Sequence, residues 1–309
     1  MGLHRLSSVV IGVPNVAETA AFYTDFGLTP TGGRTFATTD GGDQLRLVET
    51  PRRRLVEIHI GADDRDDLGR ITQRLTEEGL GLEHSGEHTG DRLTAIEPVT
   101  GTRAVVEVRP RLVQDAVPAT PYNGPGRIER VGRAPGVGRV GRVRPRKLGH
   151  VVLGTTDLPT TERFFRHALG FRLSDRIGQV GAFLRCSTDH HNLLVLEAPV
   201  AFLHHTSWQV DDIDEVGRGA SAMLADHPER HIWGLGRHHA GSNFFWYLKD
   251  PAGNFSEYYS DLDTIGDEQA WTPENFEGAK GLFNWGPPPP PSFLAPDDLG
   301  TLMAGVHGR

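Results

Sequence analysis

Cysteine is almost absent: Cys186 stands alone among 309 residues, so no intramolecular disulfide can form. Long apolar runs are missing too. No stretch approaches the roughly 18 consecutive apolar residues that a membrane-spanning helix needs, and the start, MGLHRLSSVVIG, lacks the basic opening and apolar core of a secretory signal. The expected location is the cytoplasm, with no membrane partner. No glycine-rich loop ending in Gly-Lys-Ser/Thr occurs, which sets aside nucleotide hydrolysis. Positive charge is also in deficit: 32 Lys and Arg against 40 Asp and Glu leave a net charge of −8, giving no reason to expect nucleic acid. A small neutral or anionic molecule is a better match.

What the chain does have is repetition. Four segments share one design, a β-rich apolar run followed by a polar helix start and an amphipathic helix: SSVVIGVPNVAETAAFYTDFGL, LVEIHIGADDRDDLGRITQRL, LGHVVLGTTDLPTTERFFRHALGF and HHTSWQVDDIDEVGRGASAML. Asn15 with Glu18, Asp64 with Asp67, and Asp212 with Glu215 read as caps, each an oxygen acceptor with a carboxylate three residues on. Asp157 followed by Pro159 opens the third helix by a related route. Short strand-forming runs follow the helices, for example GAFLRC with NLLVLE and NFFWYL with FSEYYS, so the unit is β-α-β-β-β. The pattern predicts an α+β chain in two halves offset by about 142 residues: a domain over 1–110, a Gly/Pro/Arg-rich linker over 111–146, a second domain over 147–262, and an irregular Pro-rich tail over 263–309 that wraps the second domain.

Paired units of this order resemble the vicinal oxygen chelate superfamily, whose tandem modules close into incomplete barrels around a divalent metal. The resemblance places ligands on the first strand of each module and the last strand of the second. In the C-terminal half those strands read LGHVVLG, LHHTSWQV and GNFSEYY, so His150, His205 and Glu257 are the implied metal ligands. Two imidazoles and one carboxylate leave adjacent coordination positions open, as non-haem Fe(II) oxygenases require, and the same set accepts Mn(II). His204 is adjacent to His205, and strand alternation sends only one of them inward.

A sharper resemblance covers residues 236–257, GRHHAGSNFFWYLKDPAGNFSE, which is similar to the signature of type I extradiol ring-cleaving dioxygenases: Gly236, His238, Tyr247, Asp250, Pro251, Gly253 and Glu257 match it. The resemblance implies ring opening of a catechol-type diol by O2 to a muconic-semialdehyde-type product. It also implies catalytic roles for His191, with His190 as the lesser choice, and for His238 and Tyr247. A catechol must lose protons to chelate a metal, so a base within hydrogen-bond reach is needed, and donors near the oxygen site ease its charging. Members often form homo-oligomers. Phe183, Phe245, Trp246 and His204 are expected near the ring, with Arg185 meeting any substrate carboxylate.

The N-terminal half acts as an internal control. Aligned on the C-terminal half, it sets Ser8 opposite His150, Glu57 opposite His205 and Val105 near Glu257, which makes no metal site. His4 and His59 are off register and read as structural. Rival readings are a 4-hydroxyphenylpyruvate-type dioxygenase, a glyoxalase-like isomerase or lyase, and a metal-free protein that binds aromatic compounds.

Overall fold

Strands form where β-branched and aromatic residues cluster between turn formers, and helices where apolar residues recur at helical spacing behind a cap. In the computed structural model, which describes residues 2–80, 90–266 and 270–307, these elements follow in order. The N-terminal half contains β1 (Leu3–Val13), α1 (Val16–Asp25), β2 (Thr29–Gly32), β3 (Thr35–Thr38), β4 (Gly42–Glu49), β5 (Arg54–Ala62), α2 (Arg65–Glu77), β6 (Arg92–Ile96) and β7 (Arg103–Val108). A one-turn helix, α3 (Pro135–Gly138), interrupts the connecting segment. The C-terminal half contains β8 (Lys147–Thr155), α4 (Leu158–Arg163) running on into a π-turn, β9 (Arg172–Ile177), β10 (Gly181–Arg185), β11 (Leu193–Glu197), β12 (Phe202–Gln209), α5 (Ile213–Leu224), β13 (His231–Arg237), β14 (Phe244–Lys249) and β15 (Phe255–Ser260). Beyond it lie β16 (Asn275–Phe276), α6 (Pro291–Leu294) and α7 (Leu299–His307).

Three of the four helix starts carry the expected cap: Asp64, Asp157 and Asp212 accept from the backbone N–H of Asp67, Thr160 and Glu215. Asn15 does not. Its amide instead donates to the Pro251 carbonyl at 2.8 Å, reaching into the other half of the chain. A tertiary partner has outcompeted the local one.

Each half folds into one mixed sheet. The orders are β2-β3-β4-β1-β5-β7-β6 and β13-β14-β15-β12-β8-β11-β10-β9-β16, so the two modules of each half meet along an antiparallel seam, β1 with β5 and β8 with β12. Parallel neighbours flank each seam. This is the α+β, tandem vicinal oxygen chelate arrangement. One continuous apolar core, including Phe22, Ile58, Phe164 and Trp208, runs through both halves. Across their junction Phe26 stacks on Tyr258 at 3.9 Å, and the Tyr258 hydroxyl donates to the Phe26 carbonyl at 2.6 Å.

Several arginines of the connecting segment are paired with acids. Arg139 forks onto Asp212 at 2.9 and 2.8 Å, and Arg146 meets Asp40 at 2.8 Å. The tail does pack on the C-terminal half: β16 extends its sheet and Phe293 is buried against it. The tail also ties the halves together, since Asp298 holds buried Arg53 at 2.6 and 2.8 Å.

Candidate metal centre

The centre follows from the ladder. β8, β12 and β15 are neighbours, with Ser207 of β12 paired to His150 on one side and to Glu257 on the other. His205 lies two residues along β12 and therefore on the same face. Ser207 is small, so the longer side chains converge over it. His150 Nε2 lies 3.2 Å, and His205 Nε2 3.7 Å, from Glu257 Oε2. Among the described residues these three are the one group of His, Cys, Asp or Glu whose ligand atoms all lie within 4.8 Å of one another.

The residues fit a divalent cation. Glu257 is fully buried, and its Oε2 makes no hydrogen bond even though two imidazole nitrogens face it. A buried carboxylate oxygen left without a donor costs about 1–3 kcal/mol or more, and a cation removes that cost. Oε1 is already satisfied by Asn243 Nδ2 at 3.1 Å, which fixes the carboxylate with Oε2 inward. Burial alone would raise the Glu257 carboxyl, but the His150 and His238 imidazoles beside it hold it well below the usual carboxylate range. Two nitrogens and one oxygen on one face are a donor set that Fe(II) and Mn(II) both accept.

His205 is oriented by a chain of hydrogen bonds. The Phe293 carbonyl can only accept, so His204 Nε2, 2.7 Å away, carries a proton. Burial pushes the His204 imidazole down to about 4, which keeps it neutral near pH 7. Its Nδ1 is then a bare acceptor, and His205 Nδ1, 2.8 Å away, must donate to it. The proton on Nδ1 leaves the Nε2 lone pair of His205 pointing at the centre, a common way for an outer partner to set a ligand's tautomer. The expectation that only one of these two histidines faces inward does not hold, because His204 is a bulge: Leu203 pairs with Leu153 and His205 with Val152. Both line the cavity.

That cavity, of about 270 Å³, is lined by His150 and His205 and by all three residues expected to be catalytic, His191, His238 and Tyr247. His191 stacks obliquely on His150 with ring centres 4.1 Å apart. Burial, then the neighbouring imidazoles, push His191 and His205 well below the usual histidine range, whereas burial and then the Glu257 charge push the Tyr247 phenol far above its own. The Leu282 carbonyl accepts from His238 Nδ1 at 2.5 Å, so His238 Nε2 accepts the Tyr247 hydroxyl at 2.8 Å. His190 turns away and meets Asp175.

Of the expected ring neighbours, Phe183 and His204 line the cavity; Phe245, Trp246 and Arg185 do not. Phe245 packs on Trp233, and the Trp246 indole donates to His231. Arg185 is buried and donates to the Leu173 carbonyl and Ser174 Oγ at 2.7 and 2.8 Å, so it is committed to structure. Sequence reasoning missed Phe293, Leu282 and Asn243. Phe293 was visible only as an aromatic after a proline run.

A family model described as Glyoxalase/Bleomycin resistance protein/Dioxygenase superfamily matches residues 147–258, the span that carries the triad. The chain is 34% identical over 304 residues to "Metapyrocatechase 2" of Cupriavidus necator, covering 94% of this chain and 92% of that protein. It is 33% identical over 136 residues to the "Iron-dependent extradiol dioxygenase" of Rhodococcus jostii (strain RHA1), covering 39% and 45%. The Mn(II)-bound glyoxalase from Novosphingobium aromaticivorans superposes with a TM-score of 0.73 at 25% identity, covering 94% of this chain and 93% of that one. A buried His, His, Glu face between two β-α-β-β-β modules is thus joined by an end-to-end likeness, and the chain belongs to the extradiol dioxygenases of the glyoxalase/bleomycin resistance protein/dioxygenase superfamily.

Proposed function

We infer that the protein is an extradiol dioxygenase that opens a catechol-type ring with O2 at a mononuclear Fe(II) centre, Mn(II) being the alternative metal. The observation that carries this reading is the fully buried Glu257 with an unpaired Oε2, facing His150 and His205 at the floor of a cavity that also holds His191, His238 and Tyr247. In this reading His150, His205 and Glu257 hold the metal, which supplies a site where diol and O2 meet and exchange electrons. His191 is the base that takes a diol proton. Tyr247, its own proton engaged by His238, offers lone pairs to the second hydroxyl; when that hydroxyl gives its proton to Tyr247 and the Tyr247 proton passes to His238 Nε2, the resulting imidazolium stabilises charge developing on the oxygen side. Ring cleavage is favoured over isomerisation by the gathering of these three groups around the triad.

The walls narrow the substrate. Val152, Ile177, Phe183, Leu194, Phe202 and Phe293 surround the cavity, and among the described residues no Lys or Arg lines it. The preferred diol therefore carries hydrogen or an apolar substituent and no carboxylate. We also propose that 1–110 and 147–262 are the two domains and 111–146 their linker, that the protein is cytoplasmic, and that it forms a homo-oligomer. The exposed apolar side chains of Val113, Ile128, Val131 and Val140 in the linker support the last point. No helix among the described residues is long and apolar enough to cross a membrane.

The test is anaerobic reconstitution with Fe(II), followed by air and a panel of catechol, alkylcatechols and catechol carboxylates. One metal per chain, oxygen uptake and a yellow ring-fission product with the first two classes are expected. Bound metal without oxygen uptake on any diol would refute the assignment.

A further inference from the structure

Behind His191, on the side away from the cavity, stands a second histidine and behind that a carboxylate. Asp175 of β9 is buried and uses its two oxygens differently: Oδ1 accepts the backbone N–H of Glu274 at 2.7 Å, and Oδ2 faces His190 Nε2 at 2.7 Å. His190 is fully buried. Its ring meets Trp271 edge-on at 5.3 Å, and its backbone N–H donates to the Asp263 carbonyl at 2.9 Å. His190 Nδ1 lies 3.0 Å from His191 Nδ1. None of these groups touches the cavity except His191.

Counting protons along this line leaves one arrangement for neutral rings. A carboxylate only accepts, so His190 carries its proton on Nε2 and its Nδ1 is bare. A bare Nδ1 must be given a proton by its neighbour, so His191 is protonated on Nδ1. Its Nε2, on the cavity side, is then a lone pair. We propose that Asp175 and His190 are positioning residues that lock His191 in the tautomer able to accept a proton from the diol. The proposal rests on the catechol-cleaving reading for its meaning, though the tautomer itself does not depend on that reading. It also explains why two adjacent histidines occur here: His191 faces the reaction and His190 sets its polarity.

The pinning of Oδ1 gives a sharp test. In Asp175→Asn the amide oxygen must remain at the Glu274 N–H, so the amide nitrogen falls beside His190 Nε2 and presents a donor to it. His190 then shifts its proton to Nδ1, His191 must accept there, and the proton of His191 moves to Nε2. The cavity-side atom changes from acceptor to donor. Wrong-tautomer substitutions of this kind cost on the order of 10²–10⁴-fold in rate. The expected result for Asp175→Asn is a fall in kcat of at least about 100-fold, with metal content and KM within about threefold of the parent. Asp175→Ala, which leaves His190 free to take either tautomer, should lose less. A merely structural role predicts the reverse order, because Ala removes more contacts than Asn; that order, or unchanged kcat in Asp175→Asn, would overturn the proposal.

An independent readout is ¹⁵N-histidine NMR of the full-length protein loaded with diamagnetic zinc. His191 should be protonated on Nδ1 in the parent and on Nε2 in Asp175→Asn. An Nε2 proton on His191 in the parent, or two ring protons on His190, refutes the relay even if the enzyme cleaves catechols. The stated tautomers in a protein that cleaves no catechol would leave the relay standing and remove the proposed function.

Discussion

The two halves of this chain share a backbone but put opposite contents at its centre. Ser8 pairs with His59 and His59 with Val105, the same places in the ladder as His150, Ser207 and Glu257. Even the bulge is repeated, with Val56 in the N-terminal half where His204 stands in the other. In the C-terminal half the middle position is a small serine, which leaves room for three ligands to converge. In the N-terminal half it is a large imidazole. His59 occupies the middle of the row and makes its own ion pairs, Nε2 to Glu57 at 2.8 Å and Nδ1 to Glu107 at 3.6 Å. Arg109 meets Glu107 at 2.6 Å, and Arg103 meets Glu57 at 3.6 Å. One half therefore keeps an unsatisfied carboxylate oxygen, and the other has neutralised its buried charges internally. The lesson is that the fold supplies three converging strands, and the residue at the middle of the row decides whether they converge as a ligand set or as an ion-paired network.

The largest expected break in this contrast comes from the carboxylates. Glu257→Ala removes the one anionic ligand and should abolish both stoichiometric metal and ring cleavage. Glu57→Ala, its neighbour's counterpart in the other half, should leave metal per chain and kcat at parent values. Elemental analysis of the two purified variants beside oxygen uptake decides it; full iron retention in Glu257→Ala would dissolve the assigned triad.

A smaller effect is expected one bond further out. His204→Ala takes away the acceptor for His205 Nδ1–H but leaves all three ligands in place. Outer partners of this kind change metal affinity by about 10- to 100-fold. Competition with a chelator should show a loss in that range, whereas Val56→Ala should show none. Equal affinities in His204→Ala and the parent would mean that the Phe293 carbonyl and His204 do not orient the ligand.

These contrasts mark how far the sequence could be read. His150, His205 and Glu257 stood out because a repeat fixes equivalent positions on three strands, and the Ser8, Glu57, Val105 alignment agrees with the observed pairing register. Four features were not legible. The bulge that turns His204 inward is a local backbone irregularity with no residue signature, so simple alternation misassigned that side chain. Asn15 looked like a cap and was claimed by Pro251, 236 residues away. The Phe293 wall and the Leu282 carbonyl come from an irregular tail whose path has no periodicity to follow. Arg185 was misread because its polar partners, Leu173 and Ser174, lie on a neighbouring strand.

The smallest expected effect lies in the N-terminal network and is one of stability, because no metal depends on it. Burial lowers the His59 imidazole, but Glu107 and Glu57 outweigh burial and raise it above its ordinary 6.5. Burial would raise Glu107, yet His59 and Arg109 hold it at about 2 against an ordinary 4.5. A raised histidine contributes stability that is complete below 6.5 and fades as pH climbs through its folded value; a depressed carboxylate contributes above 4.5 and fades as pH falls toward 2. The two overlap between 4.5 and 6.5. His59→Ala should therefore be less stable than the parent by on the order of 1 kcal/mol, most of all in that window, with the gap narrowing on either side while metal content stays constant. Thermal unfolding of both proteins from acid to mild alkali measures this. A gap that does not change with pH would mean that His59 contributes by packing alone, and the N-terminal half would then differ from the C-terminal half in volume at its centre and not in charge.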